Sequence, residues 1–96
     1  MATYITLINL TDQGARNIKD SPKRFEDYRN LAEKMGLKIK SVYWTTGAYD
    51  LVLTVEGDEE TAMVSLLNVA AQGNVRSQTL RAFSIEEMKG FVGKMS

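Results

Sequence analysis

The 96-residue chain contains no cysteine, no histidine and a single proline. Without cysteine, disulfide bonds, thiolate nucleophiles and thiolate metal sites are excluded. Without histidine, serine–histidine–aspartate triads, histidine-ligated haem and histidine zinc sites are excluded as well. Any metal would have to be bound by oxygen atoms alone. We therefore expect neither a metal nor a cofactor.

Net charge and long hydrophobic runs are also missing. Twelve basic residues balance 12 acidic ones, whereas binding to nucleic acids or membrane surfaces relies on excess positive charge. No apolar run approaches the ~20 residues of a membrane span, and the first residues do not resemble a signal peptide. The composition predicts a cytoplasmic protein that binds neither nucleic acid nor membrane.

The length predicts one domain, residues 1–96. A domain of this size buries only roughly 60–65% of the surface that its unfolded chain exposes. A partner chain would supply further burial.

Hydrophobic periodicity and turn residues predict four strands and three long helices. The strands are predicted at residues 4–10, 37–45, 49–55 and 75–82, and a single helical turn is expected over residues 15–18. The long helices are predicted from Ser21-Pro22 to Gly36, from Asp58 to Gly73, and from the capping box Ser84–Glu87 towards the C-terminus. Ser21 is expected to cap the first of them, and Pro22 suits its first turn.

Each helix carries an apolar stripe that is predicted to face a neighbour. The stripes are Phe25, Tyr28, Leu31, Ala32 and Met35; then Met63, Leu66, Leu67 and Ala70; then Ile85, Met88, Phe91, Val92 and Met95. Glycines at positions 90 and 93 weaken the last helix by about 1 kcal/mol each. We expect that helix to be stable only when it is docked.

The order β-α-β-β-α-β plus a helix predicts a ferredoxin-like α+β fold, with a four-stranded antiparallel sheet and two helices on one face. The first and third strands carry apolar residues at both odd and even positions, which is typical of strands covered on both faces, so they should be the central strands. The second sheet face would expose apolar residues, which soluble monomers rarely tolerate. We therefore expect a homodimer or higher homo-oligomer, packed sheet against sheet. Alternation alone leaves open which residues face the partner.

The segment from Thr45 to Leu51 joins two strands and is predicted to be a β-hairpin tip, with Gly47 at a positive φ. Asp50 enters an otherwise apolar strand, where an unpaired charge is costly. Its carboxylate is expected to bind backbone amides of the tip, or to pair with Arg76 or Arg81; direct contact with a ligand is the alternative.

Three segments resemble the GYD-domain family of small bacterial and archaeal proteins. They are Tyr4-Ile5-Thr6-Leu7, Ser21-Pro22-Lys23-Arg24 and Gly47-Ala48-Tyr49-Asp50, where an alanine separates the glycine from the tyrosine. The resemblance runs nearly end to end. It implies a dimeric α/β barrel of ferredoxin-like subunits, and it implies no particular activity.

A second, partial resemblance covers residues from about Val42 to Leu80. The hairpin tip and the segment Gly73-Asn74-Val75-Arg76 are similar to the ligand-sensing module of the leucine-responsive and asparagine-type regulators. In that family the module binds amino acids between subunits and assembles dimers into rings. No helix-turn-helix precedes the module here, so the resemblance does not imply DNA binding.

The residues that could contact a small metabolite are Asn9, Trp44, Thr46, Gly47, Tyr49, Asp50 and Arg76. Trp44 and Tyr49 would form an aromatic wall for a ligand, or anchors at a subunit interface. Asn9 would be a buried amide if it lay between sheet and helices. No residue is assigned a catalytic role.

Two functions follow as hypotheses. The first is a non-catalytic module for metabolite binding or assembly. The alternative, by analogy with other dimeric α/β barrels, is a cofactor-independent oxygenase or isomerase that uses Asn9, Tyr43 and Trp44 in a cleft between sheet and helices.

Overall fold

A computed structural model describes all residues from Met1 to Ser96. The elements in chain order are β1 (Ala2–Leu10), α1 (Asp12–Arg16), a 3-10 turn (Ile18–Asp20), α2 (Ser21–Lys34), β2 (Lys38–Trp44), β3 (Leu51–Gly57), α3 (Glu59–Ala71), β4 (Val75–Ala82) and α4 (Ile85–Val92). The strands form one antiparallel sheet in the order β2-β3-β1-β4. The predicted ferredoxin-like fold is confirmed, and β1 and β3 are its central strands.

The register divides the sheet into two faces, because residues directly opposite each other in antiparallel strands share a face. Ile8 lies opposite Leu51 and Thr6 lies opposite Leu53, and all four side chains are buried. This helix face carries the core, which consists of Ile8, Phe25, Ala32, Leu37, Leu51, Leu53, Val55 and Ala62. The second face, called the open face below, is not covered by α2 or α3.

Helix α2 begins one residue earlier than a serine cap would require. Ser21 is the first residue of α2, and Asp20 occupies the cap position without a side-chain hydrogen bond. The prediction that Ser21 caps the helix is therefore wrong. Its buried hydroxyl instead accepts a hydrogen bond from Trp44 Nε1 at 3.1 Å, which ties the start of α2 to the end of β2.

The preceding turn also begins earlier than predicted, at Asp12 rather than at residue 15, because Thr11 caps it by accepting from Gly14 N at 3.2 Å. The predicted helix ends at Gly36 and Gly73 are confirmed by positive φ values of 95° and 79°. Neither value suits a residue with a Cβ atom.

Helix α3 is rotated relative to its predicted stripe. Ala62 and Ser65 are its buried residues, whereas Met63 and Leu67 are more than half exposed. Small side chains therefore lie closest to the sheet, whereas Met63 and Leu67 point outwards.

Helix α4 begins with the predicted capping box, in which Ser84 and Glu87 exchange side-chain and backbone hydrogen bonds of 3.0 and 3.1 Å. The helix makes few contacts with the rest of the chain. Its predicted buried stripe is exposed, with Ile85 74% exposed, and none of its residues is buried. Within one copy of the chain, Phe91 of this stripe packs edge-on against Phe83 with ring centroids 5.0 Å apart, and the rest of the stripe is exposed.

Candidate functional site

The predicted hairpin tip connects β2 to β3, and its geometry depends on Gly47 and Thr45. Gly47 has a φ of 109°, which confirms its predicted conformation. Thr45 N donates to Asp50 O at 2.8 Å, and Thr45 Oγ1 donates to Tyr49 O at 2.6 Å. These bonds close the tip, and Thr46 lies exposed at its end.

The side chain of Asp50 binds the first strand instead of the tip. Its Oδ2 atom accepts a hydrogen bond from Leu10 N at 2.8 Å, and its own amide donates to Ile8 O at 2.8 Å. The side chain thus extends the hydrogen-bond ladder between β1 and β3 by one bond before Leu51, the first residue of β3. The expected bonds to tip amides, and the expected ion pairs with Arg76 or Arg81, are absent.

Trp44 and Tyr49 contact opposite sides of the sheet. Trp44 packs edge-on against Phe25 of α2 with ring centroids 6.0 Å apart, on the helix face. Tyr49 Oη donates to Gln78 Oε1 at 3.4 Å, and Gln78 lies opposite Leu7 on the open face. The two rings therefore do not form the predicted aromatic wall.

Asn9 and Arg76 are directly opposite each other in the β1–β4 ladder. Both belong to the open face, so Asn9 does not lie between sheet and helices as expected. Tyr49 reaches Gln78, two residues along the strand from Arg76. The structure brings these polar residues to one end of the open face, while Trp44 is separated from them by the sheet.

The centre of the open face is apolar. Ile5, Leu7 and Val52 are half-buried on the central strands, and Leu80 and Tyr43 on the edge strands are 41% and 66% exposed. Leu7 lies opposite Val52, and Ile5 lies opposite Leu80. Tyr43 lies opposite Val52, so three strand pairs join these side chains into one surface that crosses all four strands.

On the other side of the sheet, a cleft of about 260 Å³ opens between α2, α3 and the helix face. Ile8, Leu51 and Leu53 form its floor, and Tyr28 and Ser65 meet in its wall, where Ser65 Oγ donates to Tyr28 Oη at 3.1 Å. Asn9, Tyr43 and Trp44, which the enzyme hypothesis requires, do not line this cleft. The three residues therefore do not share the cleft that the enzyme hypothesis requires.

Burial raises the pKa of the Tyr28 hydroxyl above its ordinary value of 10.0, and the hydrogen bond from Ser65 opposes this effect. A phenol with a raised pKa stays neutral at physiological pH. At that pH Tyr28 can therefore accept or donate a hydrogen bond but does not act as an anionic base.

We expect the free energy of unfolding to depend on Tyr28 in alkaline solution. Below pH 10 both states keep the proton, and the contribution is fully present. Between the ordinary pKa and the raised folded pKa the folded state binds more protons, so stability falls as pH rises. Urea unfolding from about pH 8 to about pH 11 should show a shallower fall in Tyr28→Phe than in wild type.

Ser65→Ala is the matched control for this prediction, because it keeps the phenol of Tyr28 and removes only the hydrogen bond that opposes the effect of burial. Its stability should fall with pH at least as steeply as that of wild type. If Tyr28→Phe has the same pH profile as wild type, burial of Tyr28 does not affect its titration.

The lining of the cleft is absent from the sequence-based site prediction. The sequence places Tyr28 in the apolar stripe of α2 and does not single out Ser65. A serine among apolar residues at helical spacing, with Ala62 and Val69 nearby, is the available signal. The signal is weak because exposed serines are common in helices.

Comparison with known proteins identifies relatives over almost the whole chain. The profile of the GYD domain matches residues 4–92. The glutamine synthetase and cystathionine beta-lyase binding protein of Thermus thermophilus is 32% identical over 90 residues, which are 92% of this chain and 95% of that protein.

Solved structures of two other proteins share the fold. MtbAldR superposes on 86% of this chain with a TM-score of 0.66 and 18% identity, and the chain spans only 53% of it. The 30S ribosomal protein S6 of Thermotoga maritima superposes on 97% of this chain, over 98% of its own length, with a TM-score of 0.61 and 18% identity. No helix of the chain has the length and apolar character that crossing a membrane requires. The match over residues 4–92 and the end-to-end relative show that the chain belongs to the GYD-domain family.

Proposed function

We propose that the chain is a non-catalytic regulatory module that acts by binding proteins. A second copy of the chain covers the open face, and the resulting homodimer binds metabolic enzymes. The observation that carries this proposal is the apolar surface across all four strands, from Tyr43 through Val52, Leu7 and Ile5 to Leu80.

Self-association follows from the nature of this surface. Contiguous apolar patches on soluble monomers are normally small, and larger ones mark interaction sites. A second copy offers the same flat surface, and two sheets pack face to face at about 10 Å through their side chains. A two-fold axis would pack this patch against the same patch of the second copy, because two-fold interfaces use the same surface on both subunits.

The proposed enzyme partners come from the Thermus thermophilus relative, whose name states that it binds glutamine synthetase and cystathionine beta-lyase. Helix α4 supports a protein partner in this chain. Its N-terminus is capped, its apolar stripe is exposed, and amphipathic helices commonly bind by placing such a stripe in a groove. We propose that α4 contacts the enzyme while the open face holds the dimer together.

Leu7→Lys is expected to dissociate the homodimer. The substitution places two lysines near the centre of a two-fold interface, where like charges repel and lose their water. We expect the dimer dissociation constant to rise about a hundred-fold or more. Sedimentation equilibrium at several micromolar concentrations measures this change directly.

Met63→Lys is the matched control, because Met63 is 53% exposed on α3, away from the open face. This variant should remain dimeric. A monomeric wild-type protein, or a Leu7→Lys variant that sediments as wild type does, would show that the open face is not the interface.

The enzyme partners are tested separately. Wild-type protein immobilised on a sensor surface should bind glutamine synthetase or cystathionine beta-lyase from the same organism. Phe91→Ser, which alters the stripe of α4, should weaken binding and leave the dimer intact. If wild type binds neither enzyme, the assignment of these partners is wrong, whatever the oligomeric state.

A further inference from the structure

The cleft under α2 and α3 lies on the opposite side of the sheet from the open face, so its role is independent of self-association. Its volume of about 260 Å³ is large for a chain that buries only 13 of its 96 residues. Close packing normally leaves few voids larger than a water molecule. The helices α2 and α3 therefore stand apart above β1, and the space between them can accept a small organic molecule.

The size of the cleft limits its occupant. Cavities of about 150 Å³ with apolar linings accept benzene. Scaling by volume, the cleft accommodates about ten non-hydrogen atoms. Its floor of Ile8, Leu51 and Leu53 is apolar, and Phe25 and Val69 add apolar surface to the walls. The inner part of a ligand must therefore be hydrocarbon, because a polar group there would lose its hydration.

Two charged residues line the cleft, and they differ in how they are paired. Asp27 is bound by Lys23 within α2. Arg24 is half-buried and has no carboxylate within 4.0 Å; its Nη1 atom donates to Asn17 O at 2.8 Å. A guanidinium has five N–H donors, so donors of Arg24 remain free for an anion. The unneutralised charge in the lining is therefore positive.

We propose that the cleft binds a small monocarboxylate of about ten non-hydrogen atoms in all, most of them in an apolar body. The carboxylate pairs with the guanidinium of Arg24. The hydrocarbon body lies between α2 and α3 against Ile8 and Leu53. Arginine is well suited to this role because its planar fork matches the two oxygens of a carboxylate.

The test uses 3-phenylpropionate, whose size and charge fit this description, and 3-phenylpropan-1-ol as its uncharged analogue. In ¹H–¹⁵N correlation spectra of the full chain, the acid should shift amide signals of α2 and α3 near Arg24 and Ser65 in a saturable way. The alcohol should bind about ten-fold more weakly, since it lacks the charge-assisted hydrogen bonds. Equal binding of acid and alcohol, or no saturable shift with the acid, would overturn the proposal.

Substitutions locate the carboxylate. Arg24→Gln should weaken the binding of 3-phenylpropionate about ten-fold and leave that of the alcohol unchanged. Arg24→Lys keeps the charge without the fork and should lie between wild type and Arg24→Gln. Lys34→Gln, which removes an exposed cation of α2 outside the cleft, should bind as wild type does. If Lys34→Gln weakens binding as much as Arg24→Gln, the effect is general electrostatics and the assignment to Arg24 fails.

A further variant tests the location of the apolar body. Ser77 is exposed on β4 and lines the cleft, so Ser77→Phe fills part of it from its open side. A folded Ser77→Phe protein should lose binding of both probes. Undiminished binding in this variant would place the probes elsewhere and overturn the proposal.

Discussion

Gly14→Ala is expected to lower the free energy of unfolding by about 3 kcal/mol, the upper part of the range for overpacked sites. A Cβ atom on Gly14 would lie 2.0 Å from Asn74 O and 3.3 Å from Leu10 Cδ2. The first contact is with backbone, which cannot rotate away as a side chain can. Either α1 or the turn before β4 must therefore move.

Hydrogen bonds between α1 and this turn oppose any such movement. Asn74 O accepts from Thr11 N at 3.0 Å, and Thr11 Oγ1 donates to Gly73 O at 2.7 Å. Gln13 Nε2 donates to Gln72 O at 3.0 Å and to Asn74 Oδ1 at 2.8 Å. A shift large enough to accept the methyl group would stretch several of these bonds together, so the cost exceeds that of one side-chain clash.

Urea denaturation measures this change, and Gly90→Ala is the matched control. Gly90 lies inside α4, and a Cβ atom added there would meet no other part of the chain within 4 Å. Alanine favours a helix over glycine by about 1 kcal/mol, so the control should be neutral or slightly stabilising. A Gly14→Ala protein as stable as wild type would mean that α1 does not pack against the turn at Asn74.

The sheet can be predicted from the sequence because its signals are local. Apolar residues at both odd and even positions identify β1 and β3 as central strands, and Gly47 marks the hairpin tip. Successive side chains of a strand point to opposite faces of the sheet, so the sequence also divides the residues of each strand into two sets, one for each face. Only the packing of α2 and α3 determines that Thr6 and Ile8, rather than Ile5 and Leu7, are covered.

Side-chain partners that are distant in the sequence cannot be predicted in this way. Asp50 bonds to the amide of Leu10, which lies 40 residues earlier, and nothing near Asp50 in the sequence specifies that partner. The rotation of α3 is similar. Its apolar residues cover a wide arc, and close approach to the sheet favours the small side chains of Ala62 and Ser65 over Met63 and Leu67. The cleft depends on that rotation, so the sequence does not predict it either.

Asp50→Ala is expected to lower the free energy of unfolding by about 2 kcal/mol, as for a backbone donor that loses its charged acceptor. Tyr49 O, the next acceptor along the chain, bonds to Thr45 Oγ1 instead. Leu10 N would then have no acceptor in the β1–β3 ladder. Urea denaturation measures the global effect, and hydrogen exchange at Leu10 measures the local one.

Asp50→Asn keeps a hydrogen-bond acceptor and removes the negative charge, so it separates the two contributions to stability. Its amide oxygen can still accept from Leu10 N, so it should keep roughly half of the stability that Asp50→Ala loses. Exchange at Leu10 should be fastest in Asp50→Ala, intermediate in Asp50→Asn and slowest in wild type. An Asp50→Ala variant with the stability and Leu10 protection of wild type would show that the carboxylate is not needed to hold β3 against β1. Asp50 would then again be a candidate for direct contact with a ligand at the hairpin tip.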